Sequence, residues 1–178
     1  MKPRKRPSLP PVPAFPGFQG VSKLRPRQFE ALAGSLAQGG RFLEVGTLHG
    51  VTAARLAKAC PEAWVVSVDV FRELNPNAWL ANRQPNQSLF VGTLQEFALY
   101  ARPGQFDVVW IDADHRFEPC LADLRTAGGL LKPGGRLFAH DYADPDRLGV
   151  TMAIDRFCID AGKVVSVLAG SLVEIRRP

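Results

Sequence analysis

The sequence predicts an α/β fold built on an open, doubly wound and mostly parallel sheet. Three observations predict it. Short apolar runs suited to buried strands alternate with stretches of helical periodicity from residue 26 onward. A glycine turn, EVGTLHG (44–50), follows the first of these runs, and the second ends on Asp69, 23 residues after Gly46. The fourth run, FDVVWIDADHRFEP (106–119), carries Val108, Val109, Trp110 and Ile111 straight into Asp112, Asp114 and His115. Carboxylates and imidazoles are costly to bury. They belong at the carboxyl end of a strand, where open α/β sheets bind their ligands.

Each element follows in order. Pro26 suits the first turn of a helix, Phe29, Leu32, Ala33 and Leu36 recur at helical spacing, and Gly39-Gly40 ends it. RFLEVG (41–46) is the first strand, Thr52 to Ala59 a helix broken by Pro61, and WVVSVDV (64–70) the second strand. NPNAWLANRQPN (75–86) reads as a loop with one helix, SLFVG (88–92) as the third strand, and LQEFALYA (94–101) as a helix. After the fourth strand (106–113), a helix from about Glu118 to Leu131 carries Leu121, Leu124, Leu130 and Leu131 on its buried side. Lys132-Pro133-Gly134-Gly135 forms a turn, and RLFAHD (136–141) the fifth strand. Met152, Ala153, Ile154, Phe157 and Ile159 mark the last helix, before a terminal pair of strands, KVVSVLA and SLVEIRR, parted by Gly170. Alternating strands and helices imply right-handed parallel crossovers.

Composition bounds the setting. The chain has 178 residues, 46% apolar and 22% charged, as expected of one globular domain. No apolar run reaches the ~20 residues that a membrane helix needs. The basic start, KPRKRPSLPPVPAFPGF, has no apolar core and is no secretory signal. Cys60, Cys120 and Cys158 are odd in number and widely spaced, which argues against a disulfide framework or structural zinc and for a reduced, cytoplasmic compartment. The net charge of +5 is uneven: residues 1–27 hold seven basic residues and no acid, and the remainder carries 15 basic and 17 acidic residues. Residues 1–22 therefore read as a basic, Pro-rich extension that resists helix formation, and residues 23–178 as a single domain.

The glycine turn and Asp69 make half of a nucleoside site. Gly46 lets the backbone bend and approach a ligand. The Thr52 hydroxyl is placed to cap the N–H groups of the helix that follows. An acid at the end of the second strand accepts from both hydroxyls of a ribose. Neither phosphate-binding glycine pattern occurs, and Glu44 beside the turn repels a phosphate but suits a cation. S-adenosylmethionine, with a sulfonium and an amino group, has that charge.

In order along the chain, FLEVGTLHG, VVSVD, FDVVWIDADH, LLKPGGRLFAHDY and GVTMAIDRF resemble the motifs of class I S-adenosylmethionine-dependent methyltransferases. The nearest group is the small bacterial one related to metal-dependent macrolide-sugar and catechol-type O-methyltransferases, over roughly residues 40–178. The resemblance implies a Rossmann-like seven-stranded sheet with an antiparallel last strand. It implies that Glu44, Gly46 and Thr47 border the methionine end of the cofactor, with Gly50 and Thr52 in the same turn. Asp69 holds the ribose, Val70 flanks the adenine, Thr93 stands near it, and Asp112 faces the donor. Asp112 and Asp141 would then end adjacent strands and converge, an arrangement that suits a divalent cation such as Mg²⁺. His140 beside them suits Mn²⁺, Fe²⁺ or Zn²⁺. The family has an acid at the Asp112 position and an acidic or amide pair at positions 140 and 141; here the first of that pair is His140. His115 matches the general base of the sugar methyltransferases.

Other roles compete at several positions. His140 either ligates a metal or satisfies a backbone carbonyl. Asp114 caps the helix that follows, and His49 faces solvent. Trp79 and Phe71 roof the site, and Trp110 is core. The implied reaction is O-methylation of a small hydroxylated molecule. Alternatives are an RNA-directed methyltransferase using the basic extension, or a non-catalytic nucleotide-binding protein. The sequence has no Asn-Pro-Pro-aromatic tetrapeptide and no Pro-Cys after the fourth strand, the signatures of nucleobase methylation. Substrate would be enclosed by the extension, by the 71–88 loop or by a second subunit of a homo-oligomer.

Overall fold

A computed structural model describes residues 22, 24–36, 39–71 and 77–178. The expected basic extension, apart from Ser22, and part of the 71–88 loop lie outside these described residues. The elements alternate as α1 (Pro26–Ala33), β1 (Arg41–Val45), α2 (Val51–Ala59), β2 (Trp64–Asp69), α3 (Asn77–Asn82), β3 (Gln87–Val91) and α4 (Leu94–Ala98). They continue as β4 (Phe106–Ile111), α5 (Phe117–Leu130), β5 (Leu131–Ala139), α6 (Leu148–Ala161), β6 (Val164–Ala169) and β7 (Leu172–Arg176). The seven strands form one sheet in the order β3-β2-β1-β4-β5-β7-β6. β7 pairs antiparallel with both β5 and β6, and the other pairings are parallel. This is the Rossmann-like architecture expected from the sequence.

The period-two pattern of each strand divides the core into two layers. Leu43, Val45, Val109, Ile111, Leu137 and Ala139 pack on one face against Leu121, Leu124, Ile154 and Phe157 of α5 and α6. Phe42, Val108, Trp110 and Phe138 point the other way, onto Leu24, Leu32, Leu56 and Ala57. Strand order reverses between β1 and β4, which pair from Phe42↔Val108 to Val45↔Ile111. The loops after these two strands therefore diverge and leave a crevice above them.

Three local expectations change. α1 ends at Ala33, with Gly34 accepting the chain at its C-cap, instead of running on to Leu36. The expected turn Lys132–Gly135 lies within β5: Phe106↔Leu131 and Val108↔Arg136 are successive pairs, so the extra residues bulge out of the ladder. Gly134 has φ +79° there, and a Cβ on Gly135 would sit 3.1 Å from the Asp107 carbonyl oxygen, which is why the bulge needs glycines. α6 begins at Leu148, a full turn before Met152.

Candidate active site

The crevice above β1 and β4 has a volume of ≈ 810 Å³. One wall is the glycine turn, with Glu44, Gly46, Thr47 and Thr52, and the other is the loop Asp112–Arg116. Asp69, Val70 and Phe71 after β2 and Thr93 and Gln95 after β3 close the far end.

Gly46 is the point where the two walls meet. Its φ is +84°, and a Cβ would lie 2.7 Å from Ala113 Cα. Only glycine permits that contact together with that backbone angle. Gly50 works differently: it is the N-cap of α2 with φ 73°, and Trp79 Cδ1 occupies the space 2.5 Å from where its Cβ would stand. Gly50 thus shapes the turn from behind the crevice, and Trp79 is buried against it, outside the crevice lining among the described residues. Phe71 does line the crevice, and Trp110 is core, as expected.

The Asp69 carboxylate binds the turn itself. Oδ2 accepts from Thr47 N at 2.8 Å and Leu48 N at 3.0 Å, and Oδ1 accepts from Phe71 N at 2.8 Å. Oδ2 is thereby filled, and Oδ1 keeps one acceptor site for a ligand hydroxyl. The expected caps move elsewhere. α2 has no side-chain cap, and the Thr52 hydroxyl pairs with Ser22 Oγ at 2.8 Å. Thr93 caps α4 in a reciprocal box: its hydroxyl accepts from Glu96 N at 3.2 Å and donates to Glu96 Oε2 at 2.9 Å. Asp114 is no cap for α5, whose N-cap is Arg116; it accepts from Arg116 N at 2.9 Å and pairs with the guanidinium at 2.6 Å.

Glu44 is fully buried at 0% exposure. Oε2 accepts from Ser67 Oγ at 2.8 Å, while Oε1 has no partner among the described residues. Burial pushes its pKa up to about 8, against the lowering influence of the nearby Thr47 and Ser67 hydroxyls, and neighbouring Asp112 and Asp69 add to the rise. A buried acceptor with nothing to accept from is the fit expected of a cationic amino group entering the crevice.

At the other end, three groups converge as the sheet order requires. Single donor atoms of Asp112, His115 and Asp141 lie within 4.8 Å of one another. His140 stands beside this group. Its Nδ1 is 2.9 Å from Asp141 Oδ1 and 3.6 Å from Asp112 Oδ1 without an aligned hydrogen bond, and its Nε2 is 3.4 Å from Ser171 Oγ. Burial lowers the His140 pKa, but the two carboxylates outweigh it and raise the value to about 9. The same balance runs in reverse at Asp141: burial opposes ionisation, yet contacts with His115 and His140 and the charges of His140 and Arg147 hold its carboxyl well below the usual range. Two carboxylates beside imidazoles suit a divalent ion; His140 Nδ1 flanks the pair, and His115 Nε2 faces it from the crevice side.

Sequence reasoning missed three residues. Arg147 contacts Asp141 Oδ2 through Nη1, which is also 2.8 Å from His115 Nε2. Gln95 lines the crevice with its amide nitrogen 2.9 Å from Asp123 Oδ1 and 3.4 Å from Thr126 Oγ1. Ser22, assigned to the extension, is buried and lines the crevice. No local pattern marks any of them: each is a lone polar residue made relevant by tertiary contact.

Comparison with known proteins agrees with this architecture. A family model described as a methyltransferase domain matches residues 43–142, more than half of the chain. No curated protein matches in sequence. Among solved structures, cofactor-bound Rv0187 from MTB superposes with a TM-score of 0.66 at 22% identity, over 89% of this chain and 82% of that one. CalS11, a TDP-rhamnose 3'-O-methyltransferase of calicheamicin biosynthesis, gives 0.63 at 18% identity over 83% and 76%. An O-methyltransferase family protein from Burkholderia thailandensis gives 0.63 at 18% identity, over 84% of this chain and 55% of that one. With the glycine turn, the buried acid behind it and the crevice at the strand-order reversal in place, the chain belongs to the methyltransferase-domain family and is an S-adenosylmethionine-dependent methyltransferase of class I.

Proposed function

We propose that the enzyme transfers a methyl group to a hydroxyl of a small molecule, with a divalent cation assisting. The observation that carries this reading is the single crevice with two chemically distinct ends: Glu44 and the glycine turn at one, and the Asp112–His115–Asp141 group beside the other. The O-methyltransferase activity of CalS11 supports the reading by analogy of fold. Asp69, Asp112 and Asp123 line the crevice without a cationic partner among the described residues of its walls, a field that repels a phosphodiester backbone and favours a small acceptor over RNA.

S-adenosylmethionine supplies an electrophilic methyl group on sulfonium. Glu44 receives its amino group, Asp69 a ribose hydroxyl, and Val70 one face of its adenine. The Gln95 amide nitrogen is held by Asp123 and Thr126, which leaves its carbonyl oxygen as an acceptor for the adenine amine, beyond Thr93. A divalent ion on Asp112 and Asp141 would lower the pKa of an acceptor hydroxyl. His115 Nε2 then takes the hydroxyl proton, a role suited to imidazole near neutral pH. His115→Ala is expected to lower turnover by about 10²–10⁴-fold while leaving cofactor affinity within about threefold. Unchanged turnover on an accepted substrate removes His115 from this role.

Calorimetry with S-adenosylmethionine, with and without Mg²⁺ or Mn²⁺, tests the reading as a whole. It also tests Glu44. At pH 7 the free protein keeps Glu44 protonated, since its folded value is about 8. Pairing with a cationic amino group ionises it, so binding should release close to one proton, read from titrations in buffers of different ionisation enthalpy. The sign without cofactor is the reverse of the usual acid: the fold holds a proton that the unfolded chain loses, so stability falls as pH rises from the unfolded value of 4.5 to about 8. Glu44→Gln should abolish both the proton release and that slope.

A further inference from the structure

We propose that Arg147 is a built-in counter-cation for the acidic group, so that its guanidinium and a divalent metal occupy the site alternately. The inference deepens the metal-assisted reading above and rests on it. Asp112, His115 and Asp141 offer donors within 4.8 Å of one another. Arg147 Nη1 engages two of the three, touching Asp141 Oδ2 and lying 2.8 Å from His115 Nε2. Arginine has donors only and stays protonated. A His115 nitrogen that accepts from it has no lone pair left for a metal or for a substrate proton. A divalent ion held by Asp112 and Asp141 would also face the full positive charge of Arg147 at contact distance from Asp141. Metal and guanidinium therefore exclude each other.

The backbone around Arg147 is tied down, so the exchange is a side-chain movement. Arg147 N donates to Asp144 O at 3.0 Å, and Ala143 N donates to Thr151 Oγ1 at 2.9 Å. Gly149 packs the start of α6 against the His115 loop so closely that a Cβ would stand 2.9 Å from Phe117 N. That contact holds Arg147 within reach of His115. An alternative partner is already nearby: Arg147 Nε is 4.0 Å from Asp144 Oδ2, whose side chain is 31% exposed. Rotation toward Asp144 would free Asp141 and His115 together. The metal-free protein thus keeps its two carboxylates close without an ion, and the metal site and the proton acceptor open in one movement.

Mn²⁺ binding, followed by loss of the free-ion signal in electron paramagnetic resonance, tests this on the full chain. Arg147→Met should bind Mn²⁺ at least 10-fold more tightly than the native protein, and a second change, Asp112→Asn, should remove the gain. Equal or weaker Mn²⁺ binding by folded Arg147→Met overturns the proposal. If that variant does not fold, the native protein supplies the reading through modification by phenylglyoxal. Saturating Mn²⁺ should speed modification of Arg147 several-fold, as followed by mass spectrometry, and an unchanged rate overturns the proposal. Calorimetry with S-adenosylmethionine on the same samples separates the two ideas. Cofactor binding without any gain in Mn²⁺ affinity defeats the counter-cation alone. A gain in Mn²⁺ affinity in a protein that methylates no hydroxyl upholds the counter-cation and defeats O-methylation.

Discussion

Gly46→Ala is expected to abolish S-adenosylmethionine binding and to destabilise the protein by about 3 kcal/mol, combining left-handed backbone strain with overpacking. The added methyl group would stand 2.7 Å from Ala113 Cα at φ +84°. Backbone on both sides leaves no flexible side chain to yield. β1 and β4 must part at their carboxyl ends, or the turn must refold, and either change displaces the Thr47 and Leu48 N–H groups from Asp69. Chemical denaturation and a cofactor titration check the two parts separately. Native-like binding by the alanine variant would mean that the junction of the walls tolerates widening, and with it the account of the crevice would fail.

Asp141→Asn should be the most damaging single change at the other end of the site, costing about 3 kcal/mol at pH 7, the scale for breaking a buried ion pair from one side. Asp141 is 7% exposed and faces the Arg147 guanidinium, itself 24% exposed, and the His140 ring. An amide of the same shape leaves His140 with Asp112 at 3.6 Å and Arg147 with Asp144 at 4.0 Å, both longer contacts than those lost. The pH dependence has a definite sign. The Asp141 carboxyl lies below its unfolded value, so its contribution is present above the ordinary carboxylate range and fades only in strong acid. His140 is raised, so its share is complete below its unfolded value of 6.5 and fades as pH rises through about 9. Native protein and variant should therefore differ most near neutrality and converge in strong acid, while at alkaline pH the difference falls only by the His140 share, because the Asp141–Arg147 pair persists. Equal denaturation midpoints at pH 7 would sink this account of the cluster.

How much of this was legible in the sequence follows from the range of the forces involved. Unbroken apolar runs such as VVWI in FDVVWI and the punctuation by Pro61 and Gly170 are local, and the strands they mark are present within a residue or two, β5 excepted. The glycine turn was legible because its backbone angle restricts the residue type. The convergence of Asp112 with Asp141 was legible only through the strand order that the resemblance implies. What lay hidden depends on contacts between distant segments. Lys132–Gly135 carries every local mark of a turn, yet β4 supplies a ladder that converts it into a bulge. Thr93 lines the crevice as its position after the third strand suggested, but its second role, capping α4, shows only in the reciprocal bonds to Glu96. Arg147 lies in a loop sequence with no periodicity, and its importance arises from α6 docking against the His115 loop.

The reversed direction of β7 has a practical consequence. Val173 pairs with Ala139 near the crevice rim, and Ile175 with Leu137 farther from it, so the strand leads the chain toward the opposite side of the sheet. Ser22, by contrast, lies buried in the crevice lining against Thr52. Surface immobilisation or a fluorescent fusion after Pro178 should leave ligand entry clear, whereas a bulky label on the Ser22 side chain would intrude on the crevice.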